Sequence, residues 1–356
     1  MTILFFEFIV FICFNCFNCF SELLLASNWT EVNAVAEWSQ RYGNSMSLSY
    51  DNKLFNIGGY DGTTHYHDVW SSDDSGMTWL LVNAATAWSG RRENTVVVHD
   101  NKMFVMGGFD GTYALNDVWS SNNGGVTWVL VVASAGWSVR NGISSISYND
   151  KLFIFGGNSN GYKNDVWSSS DGSSWNLVTG TAAWTTRRDF TVVIYDDKLY
   201  IIGGLQDGGS RLNDVWSSSD GGVTWVLVVA SAGWPGRSSF ASVVYDDKIF
   251  VMGGYDGTNN LNDVWSSIDG GVTWVEVFSQ SDWTARSTFS SVVHNEQIYV
   301  LGGHDGSAKN DIWSLGIPTV TSQVSNQDTY VKKVIGGTWI AGCVGFMGYI
   351  AIGYLG

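Results

Sequence analysis

The stretch Lys248-Ile-Phe-Val-Met-Gly253-Gly254-Tyr-Asp256-Gly257-Thr-Asn-Asn-Leu-Asn262-Asp263-Val264-Trp265-Ser-Ser-Ile-Asp269-Gly-Gly271-Val-Thr273-Trp274 decides the fold, because the chain writes it out six times. Its Gly-Gly pair recurs at Gly58-Gly59, Gly107-Gly108, Gly156-Gly157, Gly203-Gly204, Gly253-Gly254 and Gly302-Gly303, a period of 47 to 50 residues. A period that long marks a stacked or circular array of supersecondary units, each unable to bury its apolar face alone. Three tryptophans recur per unit. They stand at Trp70, Trp119, Trp167, Trp216, Trp265 and Trp313 after Asp-Val or Asp-Ile, at Trp29, Trp79, Trp128, Trp175, Trp225 and Trp274, and nine residues further on at Trp38, Trp88, Trp137, Trp184, Trp234 and Trp283.

Within a unit the pattern reads as four short strands. Strand a is a run such as Ser239 to Tyr245, strand b is Lys248 to Met252, strand c surrounds Asp263-Val-Trp265, and strand d follows Trp274. Tyr-Asp-Asp-Lys between a and b and Asp-Gly-Gly between c and d are turn sequences that tolerate positive φ. Strand a is rich in small hydroxyl residues (Ser45, Ser47, Ser49; Ser144, Ser145, Ser147), which suits strands crowded near a central axis. With 42 Gly, 2 Pro and 15% aromatics, and no helical period in the repeats, the composition agrees with short strands joined by glycine turns.

The register of the ends shows how the array closes. Trp29-Thr-Glu31-Val32 matches Trp274-Val-Glu276-Val277, a fourth strand, whereas the sixth unit stops after Trp313-Ser-Leu315 without one. The N-terminal strand therefore completes the last unit, which hides two sheet edges that would otherwise invite pairing with other chains.

The Gly-Gly after strand b, the spaced tryptophans and an Arg before strand a resemble Kelch repeats over about residues 28–316. The resemblance implies an all-β, six-bladed Kelch-type β-propeller closed by an N-terminal outer strand. A second likeness lies in the c–d hairpins. Ser72-Asp-Asp74-Ser-Gly76-Met-Thr78-Trp79, Ser218 to Trp225 and Ser267 to Trp274 are similar to the Asp-box, Ser121 to Trp128 fits with Asn123 for Asp, and the third unit is one residue short before Trp175. Asp-boxes imply fold rather than activity.

The flanks read differently. Residues 1–27 form a Phe-rich apolar start that resembles a secretory signal or an anchor, although Glu7 interrupts it and no Lys or Arg precedes Arg41. Residues 317–333 are a polar linker ending in Lys332-Lys333, and residues 334–356 carry no charge over 23 positions, long enough for a membrane span. The expectation is a membrane protein of the secretory pathway or cell surface; the rival topology puts the propeller on the cytosolic face, since Lys332-Lys333 favours that side. Asn28-Trp-Thr30 is a lone glycosylation sequon.

Charge and ligand chemistry narrow the function. A net charge of -15 with 18 Lys and Arg argues against a nucleic-acid partner. Cys13, Cys16, Cys19 and Cys343 all lie outside the repeats, so the repeat body has no disulfide, and the first three lack His or carboxylate partners. His65, His67, His99, His294 and His304 show no ligand spacing beyond His65-x-His67. No metal and no cofactor is expected.

In a four-strand meander the start of a, the end of b, the start of c and the end of d share one face. That face collects Arg41, Arg91, Arg140, Arg187, Arg237 and Arg286, one per blade, with Arg92 and Arg188 in addition. A ring of guanidinium forks could clasp carboxylates, as the Kelch resemblance implies for acidic peptide segments. The competing reading pairs each Arg with the Asp that opens strand c: Asp68, Asp117, Asp165, Asp214, Asp263 or Asp311. Specificity then comes from what differs between blades: Tyr60, His65, Phe109, Tyr113, Tyr162, Arg211, Tyr255 and His304 in the b–c loops, of the residue types that anchor interfaces.

These features read as a non-catalytic, membrane-tethered interaction module that binds a protein, through an acidic segment, or a glycan on the d–a and b–c loop face. The alternative is a carbohydrate-active enzyme at the channel mouth, mutarotase- or sialidase-like, with Glu93 and Asp189 as acid or base. A sialidase would also bring an N-terminal Arg-Ile-Pro motif, which is missing here, and the propeller has no Cys for a galactose-oxidase-like copper site.

Overall fold

The computed structural model describes residues 29–43 and 47–316; the leader or anchor expected at 1–27, the sequon at Asn28, the linker at 317–333 and the span at 334–356 lie outside them. The described residues form strands and turns and no helix, so among them no helix is long and apolar enough to cross a membrane.

The first blade pairs Ser47–Tyr50, Lys53–Tyr60, His65–Ser72 and Leu80–Asn83 in order, all antiparallel. The second and fifth repeat this arrangement as separate four-stranded sheets. The third and fourth are joined into one nine-stranded sheet by the short strand Arg187–Arg188, which pairs with Lys163 of the third blade and with Leu205 and Gln206 of the fourth. Single bridges do the same at other seams, such as Arg41 with Lys309 and Tyr42 with Tyr60. In the sixth blade Thr30–Asn33 pairs antiparallel with Ala308–Leu315, so the N-terminal strand closes the ring.

The strands a form the inner wall. Ser47–Tyr50 packs on Thr95–His99, and the contact passes through Ser144–Tyr148, Thr191–Tyr195, Ala241–Tyr245 and Ser290–His294 back to Ser47–Tyr50. Six blades thus surround one axis, as the period predicted.

Every b–c pair shifts register at its glycines, for example between Met252 and Gly254. Gly254 has φ +96, and a Cβ there would lie 2.5 Å from Cβ of Phe240. Only glycine allows both the left-handed backbone and the close approach of the next strand, which is why this dipeptide marks each unit.

The core lies between blades. In each seam the last tryptophan of one unit meets the c–d tryptophan of the next edge to face: Trp38–Trp79, Trp88–Trp128, Trp137–Trp175, Trp184–Trp225, Trp234–Trp274 and Trp283–Trp29, with ring centroids 5.7 to 6.1 Å apart. Such pairs add about 0.5–1.5 kcal/mol each beyond their area burial. The c–d hairpins that carry the second tryptophan are locked locally. In the first, Ser72 Oγ donates to Asp74 and accepts from Gly76 N–H, while Thr78 donates both its N–H and its hydroxyl to Asp74. The short third hairpin closes in the same way through Ser169, Asp171 and Ser173.

At the far end of strand a, Tyr50, Tyr148 and Tyr245 donate their hydroxyls to the a–b turn of the following blade, at Asn101, Asp197 and Glu296 carbonyls. The second and sixth blades use histidine at this place. Nδ1 of His99 meets Ser147 Oγ and Nδ1 of His294 meets Ser49 Oγ, both at 2.9 Å. Burial depresses the His294 pKa below its ordinary 6.5. The unfolded chain therefore binds a proton that the folded chain refuses, so this group's stability is present above pH 6.5 and lost as pH falls below it. On acidification from pH 7 to 5.5, His294→Tyr, the residue four other blades use, should gain melting temperature relative to wild type; a difference that stays constant over this range would assign the pH dependence to other groups.

Candidate functional site

The six repeated arginines are 0–1% exposed. Arg237 shows the arrangement: Nη1 and Nη2 fork onto Asp263 at 2.7 Å each, Nη1 also reaches Gly253 O at 2.9 Å, and Nε reaches Pro235 O at 3.2 Å. The other five repeat it as Arg41–Asp68, Arg91–Asp117, Arg140–Asp165, Arg187–Asp214 and Arg286–Asp311, at 2.6–2.8 Å. Each Asp also accepts from the indole N–H two residues on, Trp265 for Asp263. At Asp165 burial pushes the carboxyl up, but the Arg140 fork and the Trp167 N–H outweigh burial and hold it below the usual value. These guanidiniums fasten the start of strand a to the glycine bulge and strand c of the same blade, and they offer no surface to a ligand.

The residues two positions after each repeated Arg meet around the axis. Gly43, Glu93, Gly142, Asp189, Ser239 and Thr288 all have positive φ, from 53° to 136°. Their backbones form a closed circle: Glu93 N–H donates to Gly43 O, Gly142 to Glu93, Asp189 to Gly142, Ser239 to Asp189, Thr288 to Ser239 and Gly43 to Thr288, at 2.8–3.1 Å. Below this circle lies a chamber of about 160 Å³ whose lining includes Gly142, Asp189, Ser239, Ser144, Ser242 and Ser290. Thr288 is β-branched, and the left-handed region costs such a residue of order 1–2 kcal/mol; the closed circle holds it there.

Two arginines and two carboxylates crowd one side of the mouth. Arg188 lies 3.7 Å from Glu93 and 3.4 Å from Asp189, and Arg92 lies 3.7 Å from Glu93. Both side chains are 28% exposed. Aromatic faces hold them: Arg92 stands over Tyr60 and Phe109, and Arg188 over Tyr162, whose hydroxyl accepts from its Nε. Gly142 leaves room between the two acidic turns, since a Cβ there would meet Oδ1 of Asp189 at 2.8 Å. Burial and the Glu93 charge push Asp189 up to about 7, against the pull of Arg188 and Arg211.

From this mouth an aromatic arc crosses the b–c loops. His304 meets Tyr42, Tyr42 meets Tyr60, Tyr60 stacks on His65 at 4.3 Å, and His65 meets Phe109. Burial and Arg92 lower the His65 pKa, so it favours the neutral ring. A groove of about 500 Å³ beside the arc, between the sixth and first blades, is lined by Gln40, Tyr42, Asp61, Tyr66 and His304 among others. At Asp61 burial opposes ionisation, but N–H groups of Thr64 and Thr63 and the Tyr66 hydroxyl hold it well below the usual carboxylate range.

The structure thus brings Tyr60, His65, Phe109 and His304 together. Tyr162 stands apart with Arg188, and Arg211 lies over Tyr255 in the fourth and fifth blades. Tyr113 is 70% exposed on the second b–c loop. Arg92 and Arg188, which the sequence sets on this face beside the repeated arginines, join the site in their place, and Tyr42 is added to it. Their signal was present as the one variable position after a constant one: Tyr42, Arg92, Asn141, Arg188, Ser238 and Ser287 follow the repeated Arg. Among the described residues no group of His, Cys, Asp and Glu could hold a metal ion.

Comparison with known proteins agrees with this architecture. The chain matches the KLHDC2/KLHL20/DRC7 Kelch-repeats domain over residues 14–179 and 142–333. No curated protein matches it. With glycine bulges, buried Arg–Asp pairs and a ring of six blades, the chain belongs to the Kelch-repeat β-propeller family.

Proposed function

We propose that this chain is a protein-binding module whose partner lays an acidic segment across the d–a and b–c loop face, held at the axial mouth by Arg92 and Arg188. The Kelch propeller itself suggests a protein-interaction module. The finer reading rests on one observation: the repeated arginines are sealed, whereas the side chains of Arg92 and Arg188 stay partly exposed, packed on aromatic rings. A fork held in place loses little freedom when a carboxylate binds, and Tyr, His and Phe around it are the anchor types of interfaces. A net charge of -15 works against long-range attraction, so capture depends on these contact-range forks. The apolar stretches at 1–27 and 334–356 support placing the module at a membrane of the secretory pathway or the cell surface.

Fluorescence anisotropy with a labelled hexa-aspartate peptide at low salt tests the reading. Arg92→Gln with Arg188→Gln should weaken binding at least about tenfold, since a charged hydrogen bond contributes about 1.5–3 kcal/mol, while the melting temperature stays near wild type. Equal binding by the double variant, or binding by a glycan panel in place of the peptide, would reject it.

A further inference from the structure

We propose that the axial mouth is a proton-linked anion site, in which the carboxyl of Asp189, set beside Glu93, carries a proton when an anionic group of the partner is held by Arg92 and Arg188, and weakens that hold when the proton is lost. The inference rests on the acidic-segment reading above and adds its chemistry and its control.

Four observations carry it. The two carboxylates stand on turns of the second and fourth blades, and between them in the backbone circle the glycine of the third blade, Gly142, leaves its side-chain space to Asp189 and Arg188. Arg188 is shared by both, at 3.7 and 3.4 Å, so a change of charge on either is felt at the same guanidinium. Four of the six positions in the backbone circle carry a polar side chain where left-handed φ favours glycine, namely Glu93, Asp189, Ser239 and Thr288. Only the two acidic ones follow an Arg in sequence, Arg92 and Arg188. Backbone strain at a mouth lined by titratable groups is the kind of local conflict that function maintains. The carboxyl of Asp189 is 9% exposed and lies against like charge, which favours a retained proton close to neutral pH. The charged and titratable groups facing the pair are Arg92 and Arg188 on the same turns, Arg211 from strand c of the fourth blade, Tyr162 from the third blade and Tyr42 from the first.

The direction follows from charge. A proton on the pair raises the local charge by one beside Arg92, Arg188 and Arg211 and strengthens their pull on an incoming anion. Loss of that proton lowers the charge by one and weakens the pull. Proton uptake linked to binding then makes affinity fall by up to about tenfold per pH unit once the pair ionises.

The experiment uses the full chain and the labelled hexa-aspartate peptide, whose carboxylates, with an ordinary pKa of about 3.9, stay ionised from about pH 6.5 to 8.5. Wild type should lose about tenfold or more in affinity from pH 6.5 to 8.5, and Glu93→Gln and Asp189→Asn should each flatten that loss and bind more tightly at pH 8.5. Binding that is level across this range, or a pH dependence that survives in both variants, overturns the proposal and leaves the docking reading standing. No binding at any pH rejects the docking reading and the site with it. A ligand-free measurement separates the two: the folded chain keeps the Asp189 proton that the unfolded chain releases, so stability from this group declines as pH rises from the ordinary 3.8 toward about 7. Asp189→Asn lacks this contribution, so its melting temperature should rise relative to wild type over that range, and a difference that does not change with pH overturns the proposal.

Discussion

Replacing Arg237 by Ala is expected to cost about 3–5 kcal/mol, the range for breaking a buried ion pair by removing one partner. Asp263 is 8% exposed and would be left with only the Trp265 indole N–H donating from a side chain, while the carbonyls of Gly253 and Pro235 lose the bonds from Arg237. The lost Coulomb attraction is the smaller part. Most of the loss is the desolvated carboxylate left behind, because a charge buried without its partner cannot regain hydration. Against a typical stability of about 5–15 kcal/mol, the melting temperature should drop by about 10 °C or more, readable by circular dichroism. Asp263→Asn should do comparable damage from the other side, and the double variant should cost less than the two singles added, since each has already lost the same interaction. A melt unchanged by Arg237→Ala would mean that the guanidinium is not sealed in solution, and the ring of arginines would regain its claim as a ligand site.

Deleting Asn28–Asn33 should have an effect at least as large. The strand contributes pairs from Thr30 to Ser314, Glu31 to Trp313 and Asn33 to Ile312, and it leads from Trp29, which is 4% exposed and meets Trp283 edge to face. Loss of a buried Trp alone costs about 3–5 kcal/mol. The deletion also uncovers the edge of Ala308–Leu315 in the sixth blade, and an open edge pairs with other chains. The expected result is a melting temperature lowered by about 10–20 °C together with concentration-dependent association in sedimentation. Trp29→Ala keeps the strand and should show the fall in melting without the association. If the deletion melts like wild type, closure does not depend on this strand.

The two predictions separate the repeated from the variable. Both concern features found in every blade, and both address stability. The candidate site is built from positions where the blades differ, such as Tyr42, Arg92, Glu93, Arg188 and Asp189. Arg91 and Arg92 are adjacent in sequence, yet one is 0% exposed in a fork with Asp117 and the other lies 28% exposed on two aromatic rings. Successive strand-like residues point to opposite sides, so neighbours can have opposite roles.

Strand order, blade number and ring closure could be read from the residues alone. Alternating patterns, glycine pairs and turn dipeptides act within a few residues, and the match of Trp29-Thr-Glu31-Val32 to Trp274-Val-Glu276-Val277 needs no geometry to assign the closing strand. The partner of each Arg was different in kind. Sequence offered six arginines and six aspartates on one face, about 25 residues apart, and both a ligand ring and internal pairs satisfied that count. Depth decided between them, because a guanidinium under the glycine bulge can be solvated only by the carbonyl and carboxylate beside it. The sequence already puts Glu93 and Asp189 at one channel mouth, but does not show that both approach the same Arg188. They stand two blades apart in the chain, and only closure of six blades on one axis brings their turns into a single circle of hydrogen bonds.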